Sequence, residues 1–329
     1  MLSNNSAPIN SLSETAAYVP RRQSQSVSCS IRGLKSAVRI WPALIDEKSA
    51  TRPTTLLLLH GWMDVAASFQ FLVDQLPDHY RCVSFDWRGF GDSQHCGVDS
   101  YWFADYVGDL EAFIDYSQAC GWLERGEPIN LVAHSMGGNI AMIYSGIRPE
   151  RVRRLVNLEG TGLPASKPSS TPARYRSWLD EIKSPPTLRA YASFDDVAAR
   201  LQKTNPRLRS DFALYLAKYW AKPVNENQPE GAWQLNSDPV HKVSNPILYR
   251  VEEVLACWRG ITAPVLLALA SDTNDWHQFI KQAAYQRRLS AVRNITVVTV
   301  AETGHMMHHD QPVALAELLV GFIGAPDHK

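Results

Sequence analysis

The sequence predicts an α/β protein, a mostly parallel sheet with helices on both faces and a mainly helical segment inserted late in the chain. Three observations predict it. Stretches such as "TTLLLLHGW" (54–62), "INLVAHS" (129–135) and "APVLLALAS" (263–271) are apolar without alternation, as strands buried on both faces require. Stretches with helical spacing alternate with them, which calls for crossover connections over a parallel sheet. Between the two alternating blocks lie residues 161–258, rich in Pro, Trp and helix-like runs and without a convincing buried strand. A connection of that length is too long to be bare loop.

Taken in order, residues 1–25 are rich in Ser, Asn and Gln and are expected to form a mobile tail. "SVSCSIRGL" and "SAVRIWP" alternate and flank Gly33, so they predict an opening hairpin. "TTLLLLHGW" is a central strand, followed by a helical stretch over about 67–77 and the strand "RCVSFDWRG" (81–89). Phe103, Val107, Leu110 and Ile114 recur at helical spacing. "INLVAHS" is a strand, "MGGNIAMIYSGIRP" a helix stopped by Pro149, and "VRRLVNLEG" (152–160) a strand. After the insertion, "APVLLALAS", "DWHQFIKQAAYQRRL", "NITVVTVAE" and "PVALAELLVGFIG" read strand, helix, strand, helix. The expected division is therefore a tail, 1–25; a sheet domain from 26–160 and 259–329; and a helical cap, 161–258.

Composition narrows the function. Lys+Arg and Asp+Glu both total 33, so no basic excess points to nucleic acid. No stretch approaches the ~20 apolar residues of a membrane span. The five cysteines are odd in number and lack C-x-x-C spacing, the pattern of free thiols in a reducing, cytoplasmic setting.

One serine stands out. In "LVAHSMGG" (131–138), Ser135 separates a buried strand from a helix, with Ala133 and Gly137 two residues to either side. A turn that sharp needs small flanking residues, and it lifts the hydroxyl above the sheet edge with the Met136 N–H at a helix N-terminus. The plainer alternative is a serine that merely opens a helix. A nucleophilic serine needs a base. Of the ten histidines, His305 in "ETGHMMHHDQP" sits on a Gly-bearing loop between the last strand and the last helix. His308 and His309 compete, and are read as solvated residues at the helix start. "LLHGW" places the Trp62 N–H at the same sheet edge, so Trp62 and Met136 form the expected oxyanion hole. No H-E-x-x-H pattern occurs, so neither metal nor cofactor is expected.

Over about 27–329 the chain resembles the α/β-hydrolase fold superfamily. The resemblance rests on "HGW" after the third strand, "DWRGFGDS" (86–93) after the fourth, "AHSMGG" after the fifth and "GHMMHHDQP" after the eighth. It implies an eight-stranded sheet and a cap over a serine-hydrolase centre. In "DWRGFGDS", Asp86 and Arg88 are read as a pair that shapes the loop. The resemblance puts the triad acid after the seventh strand, in "LASDTNDWH", which offers Asp272 and Asp275. Ala270 replaces the usual Gly there, and the Asp is displaced by one residue. Asp272 is preferred. Glu159, at the end of the sixth strand, is the alternative, since some relatives such as haloalkane dehalogenases place their acid there.

The expected activity is hydrolysis of a carboxylic ester or related acyl bond through an acyl-enzyme at Ser135. Hydrolytic C–C cleavage by the same triad and a low-turnover ligand sensor are the alternatives. The expected partner is a small molecule with an apolar acyl or aryl part. The cap tryptophans Trp178, Trp220 and Trp233 either line its pocket or form the cap's own core, the second being preferred.

Overall fold

Alternate residues of the apolar runs face opposite sides of one sheet. A computed structural model of the chain describes residues 17–45, 52–225, 227, 231–272 and 283–326. Its main sheet comprises β1 (Gln25–Ile31), β2 (Leu34–Trp41), β3 (Thr54–Leu59), β4 (Tyr80–Phe85), β5 (Ile129–His134) and β6 (Val152–Leu158). The insertion contributes three short strands, β7 (Ala190–Tyr191), β8 (Ala221–Pro223) and β9 (Trp233–Leu235). The main sheet is completed by β10 (Val265–Ala270) and β11 (Ile295–Val300). The order across the sheet is β1-β2-β4-β3-β5-β6-β10-β11. Only β2 runs against its neighbours, β1 and β4; the remaining pairs are parallel. The predicted eight-stranded, mostly parallel sheet is therefore present.

The helices are α1 (Gln70–Val73), α2 (Phe103–Cys120), α3 (Met136–Ile147), α4 (Thr171–Lys183), α5 (Phe194–Thr204), α6 (Ser210–Trp220), α7 (Val251–Trp258), α8 (Ala283–Leu289), α9 (Met307–Asp310) and α10 (Pro312–Ile323). The leucine run explains itself here. Leu57 and Leu59 pack with Phe113 and Ile114 of α2 and Ile140 of α3. Leu56 and Leu58 pack on the other face with Leu72 of α1 and Leu315 and Leu319 of α10. All four leucines are fully buried. The predicted helix over 275–289 is described only for Ala283–Leu289; its first part lies outside the described residues.

Between β6 and β10 the insertion carries α4 to α7, as a mainly helical segment should, and a small three-stranded sheet of order β7-β9-β8 that the sequence did not signal. These strands are two or three residues long, too short for a periodic signature. Its core (Val197, Leu201, Phe212, Leu216) docks on the sheet domain through Phe71 of α1, whose ring stacks on Phe212 at 3.6 Å.

The expected tail is too long by its last residues. Tyr18 sits edge-on to Phe71, Phe212 and Tyr215, and its hydroxyl donates to the Asp74 carboxylate. The N–H groups of Arg21 and Arg22 also donate to that carboxylate, each at 2.9 Å, and the Arg22 side chain is buried. A polar composition hid one aromatic and two arginines that fill a seam. Residues 1–16 lie outside the described residues.

Candidate active site

The site is built where β5, β6 and β11 end. β5 stops at His134 and α3 starts at Met136, so Ser135 alone makes the turn. Its φ of 52° and ψ of −114° lie where a side chain is strained, at a cost of about 1–3 kcal/mol. Hydrogen bonds hold it there, from Ser135 N–H to Leu158 O at 2.8 Å and from Asn139 N–H to Ser135 O at 3.0 Å. Gly137 is required by space, since a Cβ there would stand 2.5 Å from Leu59 O and 2.7 Å from His60 O. Gly61 is required likewise, 2.8 Å from His134 Nδ1 and 3.2 Å from Ser135 Cβ.

His305 Nε2 lies 2.9 Å from Ser135 Oγ. Its Nδ1 lies 3.4 Å from Glu159 Oε2. The loop bearing it is fixed at several points: His134 Nε2–H donates to His305 O at 2.8 Å, and Gly304 N–H donates to Asp310 Oδ2 at 2.8 Å. Asn205 of the insertion donates to the other oxygen of Asp310 at 2.7 Å, tying the insertion to this loop.

The preferred acid, Asp272, is not the carboxylate beside His305. It points outward into an ion pair with Arg207, with its side chain half exposed. Glu159 takes the inner position, buried at 3% exposure, with Oε1 accepting the Ala270 N–H at 2.6 Å. The reason is register. His134 of β5 pairs with Leu158 of β6, so Ser135 and Glu159 are the next residues on adjacent strands. Both leave the sheet with positive φ, Glu159 at 60°. Asp275 lies outside the described residues.

Two other assignments are corrected. His308 and His309 are buried, not solvated. The short α9 turns His308 into the core beside Phe69 and His134, where its Nε2 meets Ser68 Oγ at 3.0 Å. Burial, with neighbouring imidazoles, holds His308 and His134 well below the usual histidine range, and burial pushes His309 down to about 3. Asp86 and Arg88 do not pair with each other. Asp86 accepts the N–H groups of Ala66 (2.7 Å) and Asp92 (3.0 Å), whereas Arg88 pairs with Asp109 of α2. Each shapes the loop separately. His60 is likewise structural: its Nε2 accepts the Trp87 N–H and its carbonyl accepts Trp87 Nε1–H, both at 3.0 Å.

Asp64, His134 and His308 have donor atoms within 4.8 Å of one another behind His305. The individual gaps to Asp64 Oδ2 are 4.0 Å from His134 and 3.8 Å from His308. Ser68 occupies this cluster, donating to Asp64 at 2.9 Å. The cluster is thus partly joined by hydrogen bonds, and it underpins the His305 loop through His134.

A cavity of about 390 Å³ opens over Ser135 and His305. Trp62 and Met136, the expected oxyanion-hole residues, line it together with Glu159. Met136 begins α3, so its N–H has no intrahelical acceptor. The aromatic lining comes from Tyr101, Trp102, Phe103 and Tyr106, at and before the start of α2, with Val240, His241 and Val243 of the insertion. Trp178, Trp220 and Trp233 of the insertion are absent from this lining. As the preferred reading expects, Trp233 packs on Phe194 in the insertion's core; Trp220 borders the same core and also lines a different cavity. The sequence signal for this lining is "YWFADY", which spans the start of α2 and carries its helical periodicity as well.

The sheet, the strained serine at a strand-to-helix turn and the histidine against it define an α/β hydrolase. Residues 56–318 match the model of the alpha/beta hydrolase family, and the chain belongs to that family. It is 26% identical over 278 residues to a serine hydrolase-like protein of Danio rerio, covering 82% of this chain and 81% of that one. It is 29% identical over 178 residues to a cis-3-alkyl-4-alkyloxetan-2-one decarboxylase of Shewanella oneidensis, covering 52% and 53%. Among solved structures, a thioesterase domain from a curacin biosynthetic pathway superposes with a TM-score of 0.73 at 22% identity, covering 91% of this chain and 99% of that one. Among the described residues, no helix is long and apolar enough to cross a membrane.

Proposed function

We propose that the protein hydrolyses a carboxylic ester, or a related acyl bond such as a thioester, through an acyl-enzyme at Ser135. The observation that carries this reading is the chain Ser135 Oγ, His305, Glu159, with gaps of 2.9 Å and 3.4 Å. His305 Nε2 takes the serine proton as Oγ attacks the carbonyl carbon. Glu159 accepts the Nδ1–H, which fixes the tautomer and offsets the charge of the imidazolium. The N–H groups of Trp62 and Met136 receive the developing oxyanion. The leaving group departs with the proton from His305, and water activated by the same imidazole releases the acid.

The aromatic cavity suits an apolar acyl or aryl part. The insertion acts as the cap, with Val240, His241 and Val243 roofing this cavity. The serine hydrolase-like relatives and the thioesterase-like fold agree with acyl transfer.

The test is covalent labelling with a fluorophosphonate alongside turnover of p-nitrophenyl esters, thioesters and a diketone. Ser135→Ala is expected to lose labelling and to lower kcat by several orders of magnitude (~10⁶ where a serine nucleophile has been removed elsewhere), with an unchanged circular dichroism spectrum. Near-normal turnover by the purified variant would sink the reading. Labelling of the wild type without repeated turnover on any of these substrates would favour a ligand sensor.

A further inference from the structure

His305 and Trp62 border two cavities, not one. The second, of about 480 Å³, shares these two residues with the first but does not include Ser135. Its remaining walls are largely the insertion's. Met63, Leu201, Leu216, Trp220 and Met306 give it apolar surface, and Arg189, Arg200 and Lys242 supply cations. Among the described residues no aspartate or glutamate lines it.

Among the described residues none of the three cations is paired with a carboxylate. Arg207, Arg209 and Arg151 each hold a carboxylate. Arg189 only faces the Tyr191 ring, at 5.3 Å, and Lys242 Nζ only reaches Thr187 O, at 3.4 Å. Arg200 has no carboxylate partner among the described residues, although the whole chain has as many acidic as basic side chains. Unpaired cations gathered at one cavity create a local positive potential that selects anionic ligands.

Chemistry distinguishes the two cavities, given the proposed roles of Ser135 and His305, on which this inference rests. The acyl group must sit with the nucleophile and the oxyanion donors, which the first cavity contains. The leaving group must lie against the imidazole that protonates it, and the second cavity contains that imidazole without the nucleophile. We infer that the second cavity is the leaving-group subsite, and that the substrate is an ester or thioester whose departing alcohol or thiol has an apolar stem ending in a phosphate or carboxylate. On attack, the carbonyl carbon bonds to Ser135 Oγ and the C–O or C–S bond breaks. The proton held by His305 passes to the departing oxygen or sulfur, and water later takes the acyl group and restores Ser135.

Two matched pairs of butyryl thioesters test this: pantetheine against 4′-phosphopantetheine, and 6-mercaptohexanol against 6-mercaptohexanoate. The first pair reads phosphate and the second carboxylate. In at least one pair the anionic member should have a kcat/KM about tenfold or more higher, mainly through KM, with a preference that shrinks as salt rises. In Arg189→Gln/Arg200→Gln/Lys242→Gln the anionic-to-neutral ratio should fall to within about threefold of one. Active sites are counted by fluorophosphonate labelling, so a misfolded variant is recognised. Lys242→Gln and Arg189→Gln, both at exposed positions, then carry the test singly, each lowering the ratio about two- to threefold. Ratios near one in both wild-type pairs, or a preference that survives these substitutions, would overturn the inference. Failure of every thioester together with loss of Ser135 labelling would instead overturn the acyl-enzyme reading itself.

Discussion

Ser135 and Glu159 are each held at a φ that costs a non-glycine residue free energy, and they stand side by side at the ends of β5 and β6. Backbone hydrogen bonds secure both strained positions. The buried carboxylate of Glu159 faces His305, while the Asp272 carboxylate is half exposed and committed to Arg207. Glu159→Gln should therefore lower kcat by orders of magnitude (~10⁴ for the corresponding change in a serine protease) with little change in fluorescence or melting profile. Asp272→Asn should cost no more than a few-fold, because it removes a surface ion pair of small worth. Steady-state kinetics on one chromogenic ester decide the matter, and the opposite ranking would return the acid role to the loop after β10.

At the scale of elements, the insertion is fastened to the sheet domain by a seam of α1, α6 and the segment before β1. Tyr18 makes three edge-on ring contacts in that seam, with Phe71, Phe212 and Tyr215. Such pairs add about 0.5–1.5 kcal/mol each beyond burial. A chain beginning at residue 25 should therefore melt about 2–7 °C below one beginning at residue 17. It should also lose activity on heating earlier, since Asn205 and Asp310 link the same insertion to the His305 loop. Differential scanning calorimetry of the two chains checks it, and equal midpoints would show that the segment contributes nothing.

Across the whole molecule, buried histidines dominate the response to acid. Burial holds His60 and His309 down to about 3 and His241 down to about 4, and holds His134 and His308 well below the usual range. An unfolded histidine titrates near 6.5, so between about 6.5 and these folded values the unfolded chain binds more protons. The stability these groups contribute is full above about pH 6.5 and is lost as pH falls. Asp64 (about 7), Asp86 (about 6) and Asp310, all raised by burial, act in the opposite direction. Burial also lowers His95, so among the described residues six histidines stand against three carboxylates and leave a net loss on acidification. Urea unfolding should show lower stability at pH 5 than at pH 7, with a slope of up to ~1.4 kcal/mol per pH unit for each uncompensated histidine. Equal or greater stability at pH 5 would contradict it.

The sequence by itself determined the sheet, its parallel character, the place of the insertion, and the positions of Ser135 and His305. Each is a local matter. Leu56–Leu59 must be a strand buried on both faces, Gly137 must follow a turn where backbone comes close, and Gly304–His305 must leave the last strand. What only the tertiary structure decided depends on partners distant in the chain. Glu159 stands beside His305 because β5 and β6 pair in register while Arg207, 65 residues before Asp272, draws that carboxylate outward. Tyr18 and Arg22 are ordered because α1 and α6 leave a seam for them. His308 and His309 are buried because α9 turns inward onto Ser68 and Phe71. Periodicity reports which face of an element is apolar. Which carboxylate meets an imidazole, or which polar residue is taken out of water, is set by strand register and by packing between distant segments, and no local pattern encodes it.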